Sequence, residues 1–204
     1  MAIQINGNGT ITGISVGGLP NGIVDTDMIA NSAVTSAKSS GLGGLSMVQQ
    51  WRLDTDSDIA VSTGSHYFTQ YWGVQDQGGA GNVGASMTQS SGVFTFPSTG
   101  IYNIIYTLGW YQSQGSVRRA TWGYIETTQD NASNWITASS IGSNSNGGTN
   151  STTHANLRVS TLFDVTNTST HKCRFRVYAT DSINVWGSTD VNNTNVVFMK
   201  LGET

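Results

Sequence analysis

Asp54, Asp56 and Asp58 stand at alternate positions in Asp54-Thr-Asp-Ser-Asp, the way carboxylates open a calcium-binding loop. An EF-hand also needs Gly at position six and a bidentate Glu at position twelve, and here those places hold Ile59 and Ser65. The segment is therefore no EF-hand, although three close carboxylates in a β loop could still hold Ca²⁺. Gly13-Ile-Ser-Val-Gly fits the nucleophile-elbow pattern G-x-S-x-G. That pattern works only with a strand before the serine, a helix after it and a large parallel sheet around both. Nothing in the chain supplies such a sheet, and in so Gly- and Ser-rich a sequence the pattern is expected by chance. No catalytic residue is assigned, and the chain is read as a non-enzyme.

The remaining acids, among them Asp76, Glu126, Asp130, Asp164, Asp181, Asp190 and Glu203, are too scattered to be paired into the two carboxylates of a glycoside hydrolase. No coil repeat of a β-helical depolymerase is visible. His66, His154 and His171 share no ligand spacing, and the single Cys173 cannot make an internal disulfide or a zinc pattern. Apart from the calcium candidate, no cofactor is expected. Basic residues cluster only at Arg118-Arg119 and at the alternate positions Lys172, Arg174 and Arg176, in a chain of net charge −3. That argues against nucleic acid as a partner, and alternate basic residues usually mark a solvated strand face.

Aromatic residues are more informative, because Trp and Tyr can stack on sugars or anchor interfaces as well as fill β cores. Trp72, in Tyr71-Trp-Gly, and Trp135, in Asp130-Asn-Ala-Ser-Asn-Trp, lie among turn residues. They are the candidates for contact with a glycan or a neighbouring subunit. Tyr102, Tyr106, Trp110, Trp122 and Tyr124 fall on strands and are assigned to the core or a subunit interface.

The elements that must position these groups divide into two parts. Residues 1–46 contain almost no aromatic or charged groups, are punctuated by glycine and show no sustained alternation; they lack the apolar content to fold alone. Within them, Asp25 to Lys38 has a spacing that predicts a short helix capped near Asp25-Thr26. From Met47 onward, short apolar or aromatic runs alternate with polar turns. Tyr102, Ile104, Tyr106, Leu108 and Trp110 share one strand face, and Trp122 and Tyr124; Leu157, Val159, Thr161 and Phe163; Cys173, Phe175, Val177 and Ala179; and Val197, Met199 and Leu201 repeat the period of two.

Turns are signalled at Ser90-Ser91-Gly92, Pro97 to Gly100, Asn167 to Thr170 and Asn192-Asn193. Ser139 to Thr153 reads as an exposed, mobile loop. The pattern is that of an all-β sandwich. No run approaches the ~18 apolar residues of a membrane helix, and the N-terminus lacks the basic flank and apolar stretch of a secretory signal. Membrane insertion is not expected, and the protein is expected to be made in a cytosol.

The run Ser91-Gly-Val-Phe-Thr-Phe-Pro-Ser-Thr-Gly-Ile-Tyr-Asn-Ile resembles the C1q and tumour-necrosis-factor-like superfamily, in which an F-x-x-P-x-x-G-x-Y segment joins two jelly-roll strands. Phe96, Pro97, Gly100 and Tyr102 carry it, with Phe94 one alternation earlier. Asn195-Val-Val-Phe-Met-Lys-Leu-Gly looks like that family's last strand. The resemblance implies a C1q/TNF-like jelly-roll β-sandwich over residues 47–204, forming a homotrimer, with Phe94, Phe96, Tyr102, Tyr106 and Phe198 in its core or trimer centre. Some C1q-like heads bind calcium, which adds to the interest of Asp54, Asp56 and Asp58.

The segment from Gly9 to Lys38 resembles fibre and structural proteins of tailed phages, particularly those of cyanobacterial and marine hosts. It implies that residues 1–46 are a virion-anchoring or trimerising arm, with Ile11, Ile14, Val16, Leu19, Ile23 and Met28 as anchor residues. Neither Gly-X-Y nor heptads precede the head. The expected function is that of a short trimeric tail fibre or appendage, located on the virion, docked on other virion proteins and attaching to host-surface polysaccharide. The alternative is a capsid decoration or cement protein stabilising the shell.

Overall fold

The computed structural model describes residues 4–5, 11–12, 45–113, 119–145 and 152–204. The chain divides into two units, Met1–Gly43 and Gly44–Thr204. In the first, β1 (Gln4–Ile5) pairs antiparallel with β2 (Ile11–Thr12). The helix predicted between Asp25 and Lys38, the G-x-S-x-G match, and the anchor residues Ile14, Val16, Leu19, Ile23 and Met28 lie outside the described residues. Ile11 opens β2.

The second unit holds thirteen strands and, among the described residues, no helix. They are β3 (Met47–Leu53), β4 (Ile59–Val61), β5 (Gly64–Tyr67), β6 (Trp72–Val74), β7 (Thr88–Ser90), β8 (Val93–Thr95) and β9 (Gly100–Gln112). β10 (Arg119–Thr128), β11 (Ile136–Ser145), β12 (Thr153–Val165), β13 (Lys172–Ala179), β14 (Ile183–Val185) and β15 (Asn195–Gly202) follow. Two antiparallel sheets form. One runs β11-β10-β13-β8-β7, with β5 also paired to β13. The other runs β4-β14-β9-β15-β3-β6, with β12 on the far side of β9. Apart from the neighbours β7-β8 and β10-β11, the paired strands of both sheets are distant in sequence, the arrangement of a jelly roll, and the all-β jelly-roll expectation holds.

Alternation drives the assembly. On β9, Tyr102, Ile104, Tyr106, Leu108 and Trp110 are all fully buried, as the period of two requires for one face of a strand. β12 runs antiparallel to β9 along its whole length, from Thr153 opposite Gln112 to Val165 opposite Gly100. That pairing adds Leu157, Val159 and Phe163 to the same face.

From the opposing sheet, β13 contributes Cys173, Phe175, Val177 and Ala179, all buried. Phe94 stands at the centre. Its ring lies edge-on to Trp51 (5.4 Å), Trp72 (5.5 Å) and Phe175 (5.4 Å) and is tilted against Phe198 at 5.2 Å. Phe96 extends the cluster to Tyr102 and Phe163. All five residues assigned to core or trimer centre (Phe94, Phe96, Tyr102, Tyr106 and Phe198) are in this core.

The segment that carries the family resemblance has local reasons for its residue types. Ser91 and Gly92, at φ 49° and 77°, form the two-residue connection between β7 and β8, where consecutive positive φ values match the strand twist. Gly100 sits at φ 142°, and a Cβ there would stand 2.5 Å from the Gly202 carbonyl. Tyr102 turns back to donate its hydroxyl to the Ser98 carbonyl at 3.0 Å, closing the Pro97–Gly100 turn.

Four expectations are corrected. Ser139 to Ser145 is not loop but the second half of β11, paired residue by residue with β10. An edge strand takes its hydrogen bonds from one neighbour and tolerates polar side chains on both faces, so no apolar alternation announces it. Val197, Met199 and Leu201 turn away from the core; Val196 and Phe198 fill it instead. Trp72 is 5% exposed, with its indole nitrogen donating to the Phe68 carbonyl at 2.8 Å. The outward aromatic of that turn is Tyr71, 53% exposed at φ 67°. Trp122 and Tyr124 are not core residues but lie half-buried on the outer surface of the six-stranded sheet.

Because Phe94 meets four aromatic neighbours drawn from both sheets, Phe94→Ala is expected to cost about 3–5 kcal/mol. Urea unfolding followed by circular dichroism measures it; a loss below about 1 kcal/mol would remove Phe94 from the centre of the core.

Candidate functional site

The pleat that sends Cys173, Phe175 and Val177 inward sends Lys172, Arg174, Arg176 and Tyr178 outward. Register then decides their neighbours. On β10, Trp122 stands opposite Tyr178, Tyr124 opposite Arg176 and Glu126 opposite Arg174. On the other side of β13, Tyr67 of β5 stands opposite Arg176 and Ser65 opposite Tyr178. Three strands thus present a lattice of alternating rings and charges.

Glu126, only 7% exposed, is its centre. One carboxylate oxygen accepts from Nε of Arg174 at 2.8 Å and the other from Nε of Arg176 at 2.7 Å. Each guanidinium also lies against aromatic rings. Arg176 is 3.6 Å from the centroid of Tyr124; Arg174 sits between Tyr67 at 4.2 Å and Trp135 at 4.1 Å. Arg174 further donates to the Tyr67 hydroxyl at 3.3 Å, and Arg176 to Ser65 Oγ at 2.9 Å. Stacked and hydrogen-bonded guanidinium groups of this kind are held in one orientation. These arginines are therefore not the freely solvated side chains that an alternating basic strand usually carries.

Trp135 reaches Arg174 from the loop between β10 and β11, and Asp130 shapes that loop. Its carboxylate accepts from Thr128 Oγ1 at 2.6 Å, from the Asn134 backbone N–H at 2.9 Å and from the Asn134 side-chain amide at 2.6 Å. Asn131 and Ala132 take positive φ values of 56° and 68° between them. The hydrogen bonds from Thr128 and Asn134 hold the Asp130 carboxyl down at about 2. At the far end of the face, Trp122 packs 5.7 Å from Tyr178 and lies over Gly142, where a Cβ would stand 2.3 Å from the indole nitrogen. An open depression lined by Ile59, Phe68, Thr69, Gln70 and Tyr71 adjoins the face through Tyr67.

Of the sequence candidates, Trp135 belongs to this face and Trp72 does not. The three alternate carboxylates do not converge. Asp54 accepts from Arg52 Nε at 3.0 Å and Nη2 at 2.9 Å; Asp56 accepts from Thr189; and Asp58 faces the Tyr111 hydroxyl. Among the described residues no cluster of three or more His, Cys, Asp or Glu side chains could hold a metal.

His171 lies between the hydroxyls of Thr166 and Thr170, His66 meets Ser62, and His154 stacks on Trp186 at 5.2 Å. Cys173 is fully buried, and burial pushes its thiol pKa well up, which suits a core residue and not a nucleophile. Sequence reasoning missed the part played by Arg174, Arg176, Glu126, Tyr67 and Tyr124. The one signal present was the alternate basic triplet, because Glu126 lies 48 residues from Arg174 along the chain.

No family model and no curated protein matches the chain. Solved structures do resemble it. The Eiger TNF structure from S. frugiperda aligns with 12% identity over 79% of this chain and 96% of that one, with a TM-score of 0.52. Murine APRIL at pH 5.0 aligns at 10% identity over 76% and 98%, with a TM-score of 0.49. The likeness to the Eiger structure shows the fold, a TNF-like jelly roll.

A depressed carboxyl pKa contributes order that is complete above the ordinary Asp value of 3.8 and is lost as pH falls toward about 2. The Trp135 indole resonance is therefore expected to hold its position from pH 7 down to 3.8 and to move as the pH falls from there toward about 2. Asp130→Asn should shift it already at neutral pH. An indole signal in Asp130→Asn that overlays the parent protein at pH 7 would detach Asp130 from the positioning of Trp135.

Proposed function

We propose that the chain is a non-enzymatic virion structural protein, a short trimeric appendage whose head attaches to host-surface glycan and whose residues 1–46 form the arm that docks on other virion proteins. One observation supports this reading most: the two sheets turn opposite chemistries outward. The six-stranded sheet presents the lattice of rings and arginines. The seven-stranded sheet presents Val48, Ile105, Leu162, Val197, Met199 and Leu201 on its outer side, with Leu162 65% and Leu201 50% exposed.

Exposed apolar side chains gathered on one sheet face, here interspersed with Asn103, Ser160 and Gln50, suit a protein interface. Closed symmetry around it is the ordinary way for identical chains to bury such a patch. With the apolar faces turned toward a shared axis, the ring-and-arginine faces point away from it, and three linked weak sites gain avidity on a repetitive surface. Rings and hydrogen-bonding arginines are the groups that hold sugars. The virion assignment rests on the resemblance of residues 9–38 to phage fibre and structural proteins.

Sedimentation equilibrium of the full chain is expected to return three times the protomer mass, and Val197→Asp with Met199→Asp to return a monomer that keeps its β circular dichroism. A parent protein that sediments as a folded monomer would end the trimer reading. Antibody to the head should label the tail region of particles, and purified head should block infection of host cells. Label spread over the whole shell would instead favour a decoration protein, and a head that neither binds cells nor blocks infection would remove the recognition role.

A further inference from the structure

We propose that the outer face of the six-stranded sheet selects an anionic polysaccharide, whose carboxylate or sulfate groups are taken by the outward N–H edges of Arg174 and Arg176. The inference rests on the reading of the chain as a glycan-binding head and names the class of glycan. Its starting point is which surfaces the lattice leaves open. The Tyr124 ring is covered by Arg176, and Tyr67 and Trp135 enclose Arg174. The ring faces turned to a guanidinium are closed to a pyranose, while Tyr67 stays 42% exposed elsewhere. Trp135, the sequence candidate for sugar stacking, therefore acts as a positioning residue that aims Arg174.

The guanidinium edges are what remain. Glu126 takes Nε and Nη2 of Arg174 and Nε of Arg176, Tyr67 shares Nη2 of Arg174, and Ser65 takes Nη1 of Arg176. Among the described residues, Nη1 of Arg174 and Nη2 of Arg176 donate to no protein group. Both forks are thus fixed by one edge and presented by another, a geometry that suits planar carboxylate and sulfate acceptors better than sugar hydroxyls.

Charge agrees. Lys172, Arg174 and Arg176 face Glu126 alone on this surface, a surplus of two positive charges (three less one) on a chain of net −3. Asp130 in the adjoining loop keeps its negative charge, since its partners Thr128 and Asn134 are neutral, so the surplus falls to one when that loop is counted with the face. Arg174 and Arg176 stand two residues apart on one strand, roughly 6–7 Å, and the Trp122–Tyr178 pair follows in the same direction. Acidic groups along a polysaccharide would meet the arginines while a neighbouring sugar meets Trp122. A duplex nucleic acid would need a longer basic stripe than two arginines and one lysine.

Calorimetric titration of the full chain with dextran sulfate, polygalacturonate and neutral dextran of matched length tests the proposal. At least one of the two anionic polymers is expected to bind tenfold or more tightly than neutral dextran; which of them does so tells sulfate from carboxylate. Replacing both arginines by lysine (Arg174→Lys with Arg176→Lys) keeps the charge and Glu126 partnered but removes the forks, and should weaken that binding by roughly tenfold. Arg158→Gln, on an exposed position of β12 in the other sheet, should leave it within about twofold. Trp135→Phe should retain binding that Trp135→Ala loses.

Equal affinity for neutral dextran, a double-lysine variant that binds like the parent, or tighter binding of a duplex DNA of matched charge would each overturn the proposal. If no polymer binds yet the head still blocks infection, the anionic selection fails alone. If the head also fails to block infection, the recognition reading fails with it.

Discussion

Phe175 packs against Phe94, Trp72, Tyr106 and Phe198, and that contact decides which way β13 faces. In a strand the side-chain period is two, so a slip of one residue would carry Phe175, Val177 and Cys173 to solvent and bury two arginines. Burying those charges without partners costs far more than any hydrogen bond returns. The register of β13 is therefore fixed from the inside by aromatic packing and from the outside by charge. Everything on the outer surface of the six-stranded sheet inherits that register, because Tyr124, Glu126, Tyr67 and Ser65 find the arginines only through cross-strand pairing.

Charge is scarce in this chain, at 10% of residues, and among the described residues most charged side chains have a partner. Glu126 holds two arginines. On the other sheet, Arg52 is 3% exposed and reaches Asp54 at 2.9 Å, Asp76 at 3.2 Å and Gln75; Gly73 makes room, since a Cβ there would stand 2.7 Å from the Asp54 side chain. Lys200 points along the core side of β15 and ends on Glu203 at 2.8 Å. Removing one member of such a pair leaves the other uncompensated. Arginine does this work at Arg52, Arg174 and Arg176 because its planar fork can stack and bind two groups at once. On the outer side of the seven-stranded sheet, Val48, Leu162, Val197, Met199 and Leu201 share the surface with the exposed Arg158 and Asp164 of β12.

Much of the sandwich was legible because burial and periodicity are local. Tyr102 to Trp110, Leu157 to Phe163 and Cys173 to Ala179 alternate plainly, and each is a strand with that face inward. The turns at Ser91-Gly92 and Pro97 to Gly100 are legible for the same reason, since φ > 0 and the proline ring are properties of single residues. Where a strand has no apolar face the signal fails. The second half of β11 is Ser, Gly and Asn apart from the exposed Ile141, and only its pairing with β10 makes it a strand. Trp72 shows the converse error: turn residues surround it, yet the loop from Phe68 to Tyr71 arches over it and delivers the indole to the core.

The all-β class, the core aromatics Phe94, Phe96, Tyr102, Tyr106 and Phe198, and the resemblance of one short segment to a jelly roll can be read from residue order, because each depends on residue type and spacing over about a dozen residues. Tertiary structure alone decided what the outward residues do. Glu126 and Arg174 are 48 positions apart, and Arg174 and Tyr67 are 107; no periodicity encodes such meetings. They arise when two sheets close on one core and strand register sets the neighbours. Trp135, legible as an aromatic among turn residues, could be assigned to hold an arginine only once the chain had brought Arg174 beneath it.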